Sequence, residues 1–104
     1  MISEERAEKA LRFLVDTDET CAAAKADVER AEYAYKRTKE MVFIYADGTV
    51  AERQATATMH AKSKEAHEHY VACLAAYGHI ANKRETERIV LDTWRTICAN
   101  RRQQ

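Results

Sequence analysis

The stretch SKEAHEHYVAC, residues 63–73, holds the most suggestive cluster of ligand-type side chains in the chain. Glu65, His69 and Cys73 follow at i, i+4 and i+8, so a helix carries all three on one face. A carboxylate, an imidazole and a thiolate are donor types that hold zinc. A single rigid helix, however, offers two adjacent ligands easily and a third only with difficulty, and no second metal-spaced set occurs elsewhere. The expectation is no metal centre and no cofactor, with Glu65, His69 and Cys73 as the candidates to check. His60 and His67, seven residues apart, are expected on the surface.

Catalytic patterns are equally sparse. The sequence has no Gly-rich phosphate loop, nucleophile elbow or zinc-ribbon spacing. Its many carboxylates sit among basic residues, the pattern of a solvated helix face. A helical hairpin or simple bundle also rarely provides the concave pocket that catalysis needs. The chain is therefore expected not to be an enzyme.

Two basic clusters remain. The run YKRTK (Tyr35 to Lys39), with Arg53, Lys62 and Lys64, gives residues 33–64 six basic and three acidic side chains. Lys36, Arg37, Lys39, Arg53, Lys62 and Lys64 can contact phosphates, with Tyr33 or Tyr35 stacking on exposed bases. At the C-terminal end, WRTICANRRQQ adds Arg95, Arg101 and Arg102 beside Trp94. Against this, Tyr35 falls on the apolar seam described below, Trp94 suits a helix-packing position, and arginines at a helix C-terminus neutralise its dipole. Formal net charge is zero, 17 basic against 17 acidic residues, which makes the whole chain a poor generic binder of phosphates or membranes.

These residues need elements to position them, and the chain of 104 residues is expected to form one helical-hairpin domain, residues 1–104. It has no proline and two glycines. The stretch ADGTVAERQA, residues 46–55, is the one clear break. Gly48 suits a helix C-cap, and Thr49 with Glu52 three residues later has the spacing of a capping box. One helix is expected over 3–46, beginning at an N-cap on Ser3, then a turn at 47–49 and a second helix over 50–100. So short a connection makes the helices antiparallel.

Along the first helix, positions 10, 14, 17, 21, 24, 28, 31, 35, 38, 42 and 45 form an uncharged 4-3 seam of coiled-coil type. Ala10, Thr17, Ala24, Ala31 and Thr38 make its small row. The second helix answers with Met59, Ala66, Tyr70, Cys73, Tyr77 and Ile80, then Leu91, Trp94 and Cys98. Arg84 and Glu87 interrupt it, which suggests a register shift or a buried ion pair there. Gly78 weakens this helix by roughly 1 kcal/mol relative to alanine. Folding at Gly48 opposes residues whose numbers sum to about 97. It also sets an acidic first third against a basic final segment.

Two helices leave much apolar surface uncovered. Leu11, Phe13 and Val15 flank the seam near one end, and Met41, Phe43 and Ile44 near the other. A second copy is the simplest cover, giving a homodimer and a four-helix bundle, with Leu11, Phe13, Met41, Phe43, Ile44 and Trp94 at the interface. Antiparallel docking would set the basic turn half near Glu4, Glu5 and Glu8 of the partner. Three cysteines without close pairing suit a reducing compartment, MISEERAEKA does not read as a targeting segment, and no apolar run approaches a membrane span. A cytoplasmic protein with no membrane partner is expected.

The segment GTVAER (48–53), the stretch RAEYAYK (30–36) and the closing KRETERIVLDTWRTICANRR (83–102) resemble a group of small helical phage and prophage proteins of unassigned role. The resemblance covers most of the chain. It implies a bacterial host cytoplasm and a setting among phage recombination and replication functions, and it assigns no catalytic or ligand residue. The expected function is a helical interaction protein that binds a phage or host protein of DNA metabolism. The alternatives are single-stranded nucleic-acid binding through the basic turn half, and inhibition of a host defence or repair enzyme.

Overall fold

The computed structural model describes residues 1–103 and is all-α. Its helices are α1 (Glu4–Tyr45), α2 (Val50–Met59) and α3 (Ala61–Gln103). Helix α1 starts on the expected cap: the Ser3 hydroxyl accepts from the Arg6 amide at 3.0 Å, and the Ser3 carbonyl accepts from the Ala7 amide at 3.0 Å. Glu4 and Glu5 occupy its first turn, where the helix dipole favours acids. It ends at Tyr45, one residue before the expected boundary, so the seam position at Tyr45 is exposed.

The turn forms where the spacing of Gly48, Thr49 and Glu52 predicts, with the threonine half of the capping box made and no return bond from the Glu52 carboxylate to the Thr49 amide among the described residues. Gly48 has φ of 111°, a conformation that side chains disfavour. A Cβ there would also come within 2.5 Å of Glu52 Oε2. Thr49 Oγ1 accepts from the Glu52 amide at 3.2 Å, and the Thr49 carbonyl accepts from the Arg53 amide at 2.9 Å. Arg53 then reaches back across the turn. Its Nε donates to the Phe43 carbonyl at 3.0 Å and a terminal nitrogen to the Ile44 carbonyl at 3.4 Å. Carbonyls at the end of α1, which have no intrahelical partner, are thereby satisfied.

The expected single helix over 50–100 is corrected to two, divided at His60, with α3 continuing to Gln103. His60 is extended (φ −64°, ψ 140°), and it closes α2 by donating its amide to the Thr56 carbonyl at 2.9 Å. It also opens α3: its carbonyl accepts from the Lys64 amide at 3.0 Å and its ring Nδ1 accepts from the Lys62 amide at 3.1 Å. The reason lies in helical phase. Ala57 and Ser63 are both buried, yet six residues apart they would point about 120° away from each other on one helix. Breaking the helix between them lets both face inward. Met59, expected on the seam, is turned out to solvent by the same break.

The chain forms two compact units, a terminal unit of Met1–Ala23 with Gly78–Gln104 and a turn unit of Ala24–Tyr77. Within the terminal unit α1 and α3 run antiparallel around Ala7, Ala10 and Leu91, with Leu14, Val90 and Trp94 partly buried against them. Alanines at the contact let the backbones approach closely. Thr17 keeps its place on the small row by donating its hydroxyl to the Phe13 carbonyl at 2.6 Å. Arg84 and Glu87 do not pair with each other. Glu87 takes a bidentate bond from Arg6 at 2.6 and 2.9 Å, and Arg84 donates to the Leu14 carbonyl and Thr17 Oγ1, both at 2.7 Å. The two charges that interrupt the apolar row are thus the ones that tie α3 to α1. Gly78 lies in unbroken helix.

Within the turn unit Ala31 and Ala57 are buried, and α1 again runs antiparallel to α3. The Tyr35 ring meets His67 edge-on at 5.1 Å and stacks with Tyr70 at 6.4 Å. Thr38 repeats the device of Thr17, donating to the Ala34 carbonyl at 2.8 Å. No helix among the described residues is long and apolar enough to cross a membrane.

Candidate functional site

The turn unit concentrates the chemistry-bearing residues, and helix phase sorts them onto two sides of α1. The seam side carries Ala31, Tyr35, Thr38 and Val42. Glu32 flanks it and accepts from Lys36 Nζ at 2.8 Å and from the Tyr70 hydroxyl at 3.4 Å. The lysine hydrogen bond, helped by its charge and by Tyr70, holds the Glu32 carboxyl below the usual carboxylate range. The same pairing raises Lys36. This network links α1 to α3 through one tyrosine.

Of the six cations expected to meet nucleic acid, three are engaged within the chain. Lys36 is bound to Glu32, Lys39 Nζ lies 5.4 Å from the centre of the Tyr35 ring, and Arg53 caps α1 while its guanidinium covers the Phe43 ring at 4.3 Å. Arg37, Lys62 and Lys64 are exposed. Tyr35, expected either to stack on bases or to pack, packs against His67 and Tyr70, while Tyr33 is exposed.

The metal candidates come only partly together. Cys73 Sγ and His69 Nε2 are 3.8 Å apart, as i, i+4 spacing dictates, and Glu65 does not join them. Among the described residues no three His, Cys, Asp or Glu side chains gather as a metal site. Cys21, Cys73 and Cys98 are all half-buried free thiols.

Sequence reasoning missed Ser63. It is 2% exposed, and its hydroxyl has no hydrogen-bond partner. It lines an open cleft of 310 Å³ with Tyr35, Thr58, Lys64, His67 and Glu68. Serine and histidine at i, i+4 with a nearby glutamate have the composition of a nucleophile set. Nucleophilic catalysis needs a base within hydrogen-bond reach of the hydroxyl, and Ser63 Oγ has none. Ser63 continues the α3 row of Ala66, Tyr70 and Cys73 at the same 4-3 spacing, so the signal was present and was passed over because serine is polar.

The residues expected at a subunit interface fall into two groups. Trp94 packs on the Ala7, Ala10 and Leu91 cluster of its own chain. Phe13 and Phe43 are half-buried, each with a cation over its ring: Lys83 at 5.8 Å and Arg53 at 4.3 Å. Leu11, Met41 and Ile44 are exposed, as are Val15, Tyr33 and Ile89, which have no comparable cover. No protein-family model, curated protein or solved structure matches the chain.

Proposed function

We propose that the chain is a helical interaction protein that works by binding another protein through its exposed apolar helix faces. One observation carries this. In the terminal unit Leu11 (49% exposed) and Val15 (69% exposed) stand one turn apart on α1. Apolar side chains left in water at i, i+4 spacing mark a face that a further helix can cover.

A partner in phage or host DNA recombination or replication, including a defence or repair enzyme held inactive, is supported by the residues that resemble small phage proteins. Direct binding of single-stranded nucleic acid is the weaker reading, because Lys36, Lys39 and Arg53 already have intramolecular partners. The test is affinity capture from phage-infected bacterial lysate, with wild type and a Leu11→Asp, Val15→Asp variant run in parallel. A protein retained by wild type at high salt and lost by the variant is the expected result. Equal retention by both, or recovery of nucleic acid alone with steep salt dependence, overturns the proposal.

A further inference from the structure

We infer that the outer face of α1 in the turn unit is a self-association surface, on which a second copy of this chain docks antiparallel about a two-fold axis between Thr38 and Lys39. This deepens the protein-binding reading above by naming one partner and its surface. Tyr33, Arg37, Met41 and Ile44 recur at spacings of 4, 4 and 3. On a helix they form one stripe centred roughly 145° from the seam residues Ala31, Tyr35 and Val42 that face α3, with Tyr33 opposite the seam and Met41 at the stripe's edge beside Thr56 and Lys62. The burial pattern agrees: Tyr33 is 68% exposed, Met41 48% and Ile44 63%, while Ala31 is 4%. Tyrosine, arginine and methionine are also the residue types enriched at interface cores.

Charge identifies the occupant. Arg37 and Glu40 are exposed on this face, and neither has an ion-pair or hydrogen-bond partner among the described residues. By contrast Lys36, one position away, is bound to Glu32. An antiparallel pairing in which opposed residue numbers sum to 77 sets Arg37 against Glu40 of the partner subunit, twice by symmetry. The same register sets Tyr33 against the partner's Ile44 and Met41 against the aliphatic stem of the partner's Lys36. A face that carries its own counter-charge at the two-fold-related position is self-complementary, the condition an isologous contact must meet. Docking in the opposite, parallel sense would instead bring Arg37 against Arg37 and Glu40 against Glu40. The docked helices overlap over about 14 residues, or roughly 20 Å. That is a small interface, so the dimer forms reversibly with concentration.

Sedimentation velocity of the full chain over a concentration series reads this directly. Wild type should shift from monomer to dimer as concentration rises. Arg37→Glu and Glu40→Arg should each weaken dimerisation by at least about fivefold, because each creates two like-charge contacts. The double variant, with the charges exchanged, should restore it. Both residues are exposed and unpaired, so the variants should keep the wild-type circular dichroism melt. Ile44→Asp provides an independent probe and should also abolish the dimer. A wild type that stays monomeric into the millimolar range overturns the inference. So does a dimer indifferent to these substitutions, or one the double exchange fails to restore. Failure here with lysate capture intact leaves a protein binder that does not self-associate. A charge-sensitive dimer that captures nothing leaves this surface standing without the wider reading.

Discussion

Thr49 shows how much a single residue can be asked to do at this turn. Its hydroxyl holds the Glu52 amide and its carbonyl holds the Arg53 amide, so α2 begins on it twice over. Arg53, positioned by that first turn, satisfies two carbonyls at the end of α1. Thr49→Ala should therefore destabilise the fold by about 1 kcal/mol in a urea or thermal melt, the usual cost of a lost cap. Thr49→Ser, which keeps the oxygen, should cost much less, and equal losses for the two would show that the hydroxyl does not matter. This much was legible in the sequence, because a glycine followed by Thr-x-x-Glu has a local physical meaning that needs no tertiary context. Ser3 was legible for the same reason. His60 was not: histidine is an uncommon cap, and its Nδ1 can accept from Lys62 only in the neutral ring, so nothing in its neighbours announces a break.

At the scale of elements, α1 and α3 differ in how well their seams could be read. The α1 row held from Ala10 to Val42, where every position is buried or half-buried, and most deeply at Ala10 and Ala31, since small residues fit a close helix contact. It failed at Tyr45, where α1 simply stops. The seam of the returning chain failed at Met59, because a periodic count assumes one unbroken helix and His60 resets the phase. Cross-helix tethers could be suspected only as interruptions, since which α1 residue meets Glu87 depends on register. Gly78 offers a test at this scale. It lies within α3, and a Cβ built there meets nothing within 4 Å. Its only cost is conformational freedom, so Gly78→Ala should stabilise the protein by about 1 kcal/mol. A lower melting temperature in that variant would mean that the open space beside Gly78 is occupied in solution.

Across the whole molecule, few apolar side chains among the described residues are fully buried, so the polar tethers add a share of stability that depends on their charge. Acid should expose this. Glu32, Glu85 and Glu87 all have carboxyls held below the usual range, in each case chiefly by a hydrogen bond from a cation: Lys36, Arg88 and Arg6 respectively. A carboxyl that is more acidic folded than unfolded binds fewer protons in the native state, so the unfolded chain is favoured as protons are added. The contribution is complete above the unfolded value near 4.5 and is lost as pH falls through the lower, folded value. The melting temperature should therefore respond little to these three groups between pH 7 and about pH 5.5, then fall as they become protonated. The three should not contribute equally. Glu85 and Arg88 are neighbours on one exposed helix face, a pair that helix formation alone can keep. Glu87 and Arg6 are brought together only by folding, from positions 81 residues apart, and the Glu87 side chain is 20% exposed. Glu87→Gln should thus flatten the acid limb of the melting-temperature profile more than Glu85→Gln does. Because Lys36 is raised by its partner, its share of stability persists through neutral pH and is lost only as pH rises through its elevated folded value. A profile in which Glu85→Gln removes the larger part of the acid loss would place the stabilising charge pairs along single helices and not between them.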